Sequence, residues 1–203
     1  MIEGLVADMQ IDVRTNIKEV QRKLGRMSRE LKDKAAVMAI NKTAAKAKTE
    51  LVRAITAEYV IKAAEIRPRL RLQRARRGRL TAVIDPWKGS RRRSLNLIHF
   101  LENKVSLAEM KRRRKKGAHK QLRFKIKKGS PPKIIRGAFI QNRGRTIFIR
   151  TDTTMMPIEP VQTVGVPQMF GVRRINARVI RRIRKEFPIE YMRAARHATR
   201  KFR

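Results

Sequence analysis

Six consecutive cations, Lys111, Arg112, Arg113, Arg114, Lys115 and Lys116, run into Gly117. Side chains of this type offer one chemistry above all. Each can bind a phosphate oxygen and release a counterion from a polyanion. Arg91, Arg92 and Arg93 form a shorter run, and Arg123 and Lys125 alternate with Leu122, Phe124 and Ile126. Together these are the candidate DNA-contacting residues, and Arg69, Arg71, Arg79 and Lys127 would extend the same surface. Six like charges in a row cannot pack in a core, so the run itself reads as an extended or mobile loop. The competing reading is a solvated loop, or one that docks on an acidic neighbour. No zinc-finger, RNA-recognition or homeodomain signature is present, and the middle of the chain has few aromatics on which bases could stack. Contact through phosphates and shape is therefore expected, without reading of base sequence.

Other chemistries find little support. There is no Walker-type phosphate loop and no G-x-S-x-G. Asp85 and Asp152 border expected strands and read better as turn or cap carboxylates than as catalytic acids. His99, His119 and His197 are far apart, and cysteine is absent, so neither a metal centre nor a disulfide is expected. His99 beside Phe100 reads as a packed or surface histidine rather than a ligand, and Trp87 after Asp85-Pro86 as the anchor of a hairpin end rather than a stacking platform. No catalytic residue and no cofactor is assigned; the chain is not expected to be an enzyme.

The elements that must position the cations follow from charge and periodicity. The 203 residues include 53 Lys or Arg and 16 Asp or Glu, a net charge of +37. A body of this size with that charge repels itself unless a polyanion or an acidic protein screens it. The excess is uneven. Residues 1–60 carry 12 basic and 8 acidic groups, residues 61–151 carry 29 and 4, and residues 152–203 carry 12 and 4. The first ten residues lack the basic start and apolar run of a secretory signal. No stretch approaches the ~18 apolar residues of a membrane span.

Ile17, Val20, Leu24, Met27 and Leu31 recur at three and four, the spacing of one helical face, and are candidates for subunit packing. The pattern predicts either one helix of about 45 residues, some 65–70 Å at ~1.5 Å per residue, or two helices bent near Asn41. Pro68 ends any helix there. Leu70 and Leu72, then Leu80, Ala82 and Ile84, predict a hairpin turning at Arg76-Arg77-Gly78, with one basic face. A second hairpin is expected from Ala138–Ile140 and Thr146–Ile149, with Asn142 and Gly144 in its loop. Ser94–Glu102 has no clear type. Pro157, Pro160 and Pro167 suggest an extended connector. Ile175, Val179, Ile183 and Phe187 share the face of a last helix, expected to kink or break near Pro188. The fold class is α+β: a long N-terminal helix, an antiparallel β-sheet of hairpins in the middle and a C-terminal helix. One domain is expected, with a helical segment over 1–60, a basic β-rich core over 61–172 with a mobile basic loop over 103–121, and the C-terminal helix over 173–203.

In this order the pieces resemble a known family. Ala39-Ile40-Asn41-Lys42-Thr43-Ala44, Arg112-Arg113-Arg114-Lys115-Lys116-Gly117, Gly137-Ala138-Phe139-Ile140, Pro157-Ile158 with Val166-Pro167, and Ile180-Arg181-Arg182-Ile183 followed by Glu186, Pro188 and Glu190 carry the likeness. The chain resembles, over roughly residues 35–200, the minor tail protein Z family of long-tailed bacteriophages, the tail completion proteins. The resemblance implies a structural virion protein that joins late, at the head-proximal end of the tail. It also implies an oligomeric ring, taken as a hexamer to match tail symmetry. The implied partners are other copies of itself, the tail terminator, the head-tail connector, tail tube proteins and phage genomic DNA. The implied location is the virion tail, and the host cytoplasm during assembly. Two other readings stay open on the residues alone: a cellular ribosomal- or nucleoid-type protein, and a connector whose cations meet acidic tail proteins.

Overall fold

The computed structural model describes residues 29–86, 94–102, 112, 122–151 and 156–200. The expected packing residues Ile17, Val20, Leu24 and Met27 lie outside the described residues, as do Trp87 and Asp152. Contacts divide the chain into two compact units. The first joins residues 1–54, 67–87 and 167–203; the second joins 55–66 and 88–166.

In the first unit, helix α1 (Arg29–Glu58, with its last residues in the second unit) is continuous through Asn41. Its buried face is rich in alanine: Ala35, Ala36, Ala39, Ala44 and Ala47 are buried beside Ile40 and Leu51. Alanine has the highest helix propensity and loses no side-chain entropy, so this stretch stays helical without large side chains. Leu31 is half-buried. Asn41 does not bend the helix. Its Nδ2 donates to the Ala75 carbonyl at 3.1 Å, and its Oδ1 accepts from the Ala75 N–H at 2.8 Å. Ala75 is buried, so this amide satisfies a backbone donor and acceptor that have left the neighbouring strand. The segment it holds is the first hairpin, β1 (Leu70–Gln73) paired antiparallel with β2 (Val83–Pro86). At the far end of that hairpin Arg76 and Arg79 bridge around a turn in which Gly78 takes φ +85°, the left-handed region where glycine is strain-free.

The remaining elements of this unit are C-terminal. A short helix α3 (Val166–Phe170) begins at Val166, the last residue of the second unit, and helix α4 spans Arg173–Arg200. The expected break at Pro188 is not present as a terminus, because the helix continues on both sides. Proline removes one N–H, here the donor to the Arg184 carbonyl, and the buried face carries the helix past the gap. Ile175, Val179, Ile183, Phe187, Tyr191 and Ala194 form that face.

In the second unit the chain leaves α1 when the Val60 N–H donates to the Ile126 carbonyl at 2.9 Å. Helix α2 (Ala63–Ile66) and a 3-10 turn over Arg67–Arg69, at the return to the first unit, follow. Ser94–Glu102 resolves into strand β3 (Leu95–Asn96) and a 3-10 turn over Leu97–Phe100. β4 (Arg123–Phe124) pairs with β5 (Lys133–Ile134). The second expected hairpin forms as β6 (Phe139–Gln141) and β7 (Thr146–Arg150), its loop holding Asn142, Arg143 and Gly144 at positive φ. The proline-rich connector is more ordered than expected. β8 (Ile158–Pro160) completes the sheet on β7, and β9 (Gln162–Thr163) pairs with β3. Proline tolerates an edge strand because it has no N–H to leave unpaired there.

Asn96 ties these small sheets together. Its Nδ2 donates to the carbonyls of Ile147 and Val161, both at 3.1 Å. Its Oδ1 accepts from the N–H groups of Ile98 at 3.1 Å and Ile147 at 2.8 Å. One side chain thus joins the strand before it, the 3-10 turn after it and two further segments.

Asn41→Leu should preserve the helix and orphan both backbone groups of Ala75. A loss of ~1–3 kcal/mol for each group left unpaired is expected, read by urea unfolding. A midpoint equal to wild type would mean that water replaces the amide without cost.

Candidate nucleic-acid interface

Carboxylates decide which cations are free to meet a partner, and among the described residues of the first unit two of them are buried. Glu186 and Glu190 lie on the apolar face of α4, four residues apart, and are buried. Ionised carboxylates there need a cation. Lys46 of α1 supplies it, with Nζ 2.7 Å from Glu186 Oε2 and 2.6 Å from Glu190 Oε1. Arg182 reaches Glu186 at 3.0 Å, and Arg193 reaches Glu190 at 2.9 Å. Hydrogen bonds from Lys46 hold both carboxyls below the usual range, against an opposing effect of burial. The same bonds, Glu186 first and then Glu190, raise the Lys46 ammonium above its ordinary value. Elsewhere on these helices Arg178 Nε donates to Glu50 at 2.6 Å. Tyr191 Oη donates to the Lys32 carbonyl at 3.4 Å.

The opposite face of α4 is basic. Arg174, Arg178, Arg181 and Lys185 recur at four, three and four residues, so they share one side of the helix over about 16 Å at ~1.5 Å per residue. All four are exposed. Arg178 answers Glu50, whereas Arg174, Arg181 and Lys185 meet no carboxylate among the described residues. Arg173 and Arg174 also occupy the first turn, where the helix dipole disfavours cations, and no acidic residue offsets them.

The second unit carries a separate basic surface. From Leu122 to Thr151 there is no carboxylate, while Arg123, Lys127, Lys128, Lys133 and Arg136 are exposed around the β4–turn–β5 ribbon. On the three-stranded sheet Phe139 stacks on Phe148 with centroids 6.2 Å apart, and the Arg150 guanidinium sits 4.9 Å from the Phe139 centroid. That cation is engaged within its own sheet.

A cavity of about 410 Å³ in the first unit is lined by Val37, Met38 and Ala198 with Asp33, Lys34, Arg77 and His197. Its lining is largely apolar and contains no pair of carboxylates. Among the described residues no cluster suited to a metal is found, and no helix is long and apolar enough to cross a membrane.

The family model described as prophage minor tail protein Z (GPZ) matches residues 16–203. The chain belongs to the prophage minor tail protein Z family. No curated protein and no solved structure matches it. Membership makes this a minor tail protein, a structural component of the phage tail.

Of the cations expected from sequence in this minor tail protein, Arg112, Arg123 and Lys125 are described. Lys111, Arg113, Arg114, Lys115, Lys116, Arg91, Arg92 and Arg93 lie outside the described residues. Arg112 and Arg123 are exposed; Lys125 is half-buried, its N–H donating to the Phe100 carbonyl at 2.9 Å. His99 is half-buried, with Nδ1 3.7 Å from Glu65. Asp85 is a half-buried strand residue opposite Arg71.

Two features went unread. The first is the basic stripe of α4, although its spacing is visible as soon as the positions opposite Ile175, Val179 and Ile183 are marked. The second is the Lys46–Glu186–Glu190 cluster. Its signal was two carboxylates, four apart, in register with an apolar face.

The pKa directions fix how stability depends on pH. Glu186 and Glu190 release protons more readily when folded, so their contribution is fully present above about pH 4.5, the ordinary value, and fades as pH falls through the lowered folded values. Lys46 holds its proton more tightly when folded. Its contribution is complete below about pH 10.5 and fades as pH rises through the raised folded value. Lys46→Met should therefore narrow the plateau at its acid edge, moving the acid-unfolding midpoint upward. An unchanged midpoint would show that Arg182 and Arg193 suffice alone.

Proposed function

We propose that this protein is the tail completion component at the head-proximal end of the phage tail. In this reading it forms a ring of six copies between the tail terminator, the tail tube proteins and the head-tail connector. It makes the tail competent to receive the genome end, and its basic surface touches DNA phosphates without reading sequence. It assembles in the host cytoplasm and remains in the virion. Membership of a structural tail family supports a non-enzymatic role.

One observation carries the DNA contact. The net charge is +37, and Glu30, Glu50, Glu65, Glu186 and Glu190 each already face a basic side chain within the chain. With 53 cations to 16 carboxylates, one-to-one pairing within the chain would leave most cations over, and a tail protein has one abundant polyanion close by, the genome. A ring would present each cation several times to one duplex, so weak single contacts would add through effective concentration. Family membership favours this reading over a ribosomal or nucleoid protein of similar charge.

Duplex binding should weaken steeply with salt, with a log–log slope of about −0.9 for each phosphate neutralised. A slope near zero would assign the cations to acidic protein neighbours instead. In the phage, replacing Arg112 to Lys116 by Ser should yield tails that assemble and receive or pass DNA poorly. Normal assembly and injection would reduce that run to a solvated loop.

A further inference from the structure

We infer that the solvent face of α4 is a rail for the backbone of double-stranded DNA, with Arg174, Arg181 and Lys185 as its phosphate-binding cations. The inference rests on the polyanion contact proposed above and moves its centre away from the basic run at Lys111–Lys116.

Pairing within the fold sets some cations of α4 apart from the row on its solvent face. Arg178, Arg182 and Arg193 are engaged by Glu50, Glu186 and Glu190. Arg174, Arg181 and Lys185 are exposed and meet no carboxylate among the described residues. They stand seven and four residues apart, about 10.5 and 6 Å along the helix axis at ~1.5 Å per residue. Phosphates on one strand advance ~3.4 Å per nucleotide along the duplex, so several lie beneath this length of helix. Exposed Ala177, between Arg174 and Arg181, adds no bulk that would hold the longer side chains away.

The composition of the face selects the partner. Protein interfaces have an apolar centre and a charged rim. This face has cations at its centre, and from Arg174 to Lys185 its exposed apolar residues are Ala177 and, toward one edge, Ile180. Single-stranded nucleic acid is gripped by aromatic platforms. The aromatic residues of α4, Phe187 and Tyr191, are buried on the other side. A regular, stiff polyanion suits a row of cations fixed on a rigid element. Ile175, Val179 and Ile183 fix that element from behind, and so do the Lys46 ion pairs.

The test uses the full chain, a 30-base-pair duplex of mixed sequence and fluorescence anisotropy across a salt series. The variant R174Q/R181Q/K185Q keeps helix-forming side chains and should unfold at the wild-type temperature. Its log–log slope should be shallower than wild type by about 2.7, at ~0.9 per lost phosphate contact. Single variants such as R181Q should each remove about a third of that. The control K42Q/R143Q/R145Q removes the same charge from α1 and the β6–β7 loop and should keep the wild-type slope. If wild type binds with a steep slope and the triple variant matches it, the rail is wrong while DNA contact stands. If the control loses as much as the triple variant, net charge alone acts and the rail is again wrong. Tighter binding to single-stranded DNA or to RNA than to the duplex would overturn the choice of partner. A wild-type slope near zero would remove the DNA-contact reading itself.

Discussion

In a chain with 53 basic and 16 acidic residues, each carboxylate placed inside the fold is one fewer to offset charge outside it. The first unit meets that constraint in one cluster. Glu186 and Glu190 sit on the buried face of α4, and Lys46 of α1 lies between them. A buried carboxylate without a cation would be neutralised or would unfold its surroundings. Here three basic residues share two acids, so the link between the helices is satisfied electrically as well as by packing. The result is a helix with a fixed inner face and an outer face on which Arg174, Arg181 and Lys185 meet no carboxylate among the described residues.

That asymmetry connects stability to function. Like charges three and four residues apart on one helix face repel, and Arg174, Arg181 and Lys185 remain together on α4 all the same. The second unit repeats the pattern with different elements. A stretch without a single carboxylate is built from short strands held by Asn96, and its exposed cations lie around β4 and β5. Each unit also has an amide as a polar anchor. Asn41 and Asn96 each satisfy backbone donors and acceptors without adding charge. In a protein that must stay strongly basic, a neutral amide does the structural work of a carboxylate without lowering the net charge.

Much of this was legible from residue patterns. The hairpin turning at Gly78 and the loop of Asn142 and Gly144 were readable because positive φ restricts which residues can stand there. The helical face of Ile175, Val179, Ile183 and Phe187 was readable because burial imposes a period of 3.6. What escaped depended on partners far apart in sequence. Asn41 looked like a bend because its amide is explained only by Ala75, 34 residues on. Glu186 and Glu190 had no assigned role, because the Lys46 that explains them lies 140 and 144 residues away. Pro188 suggested a break because local rules weigh one lost hydrogen bond but not the packing that carries the helix past it. Pro157 and Pro160 suggested a connector because edge pairing with β7 is a tertiary outcome.

The central claim is that Glu186 and Glu190 face inward on α4 while its opposite, basic face lies along the genome. A side-chain-resolution map of the assembled neck, with DNA in the channel, tests it most directly. The account predicts that Arg174, Arg181 and Lys185 point at duplex phosphates while Lys46 remains between Glu186 and Glu190. Finding that face packed against an acidic tail protein, or turned to solvent away from the DNA, would contradict it.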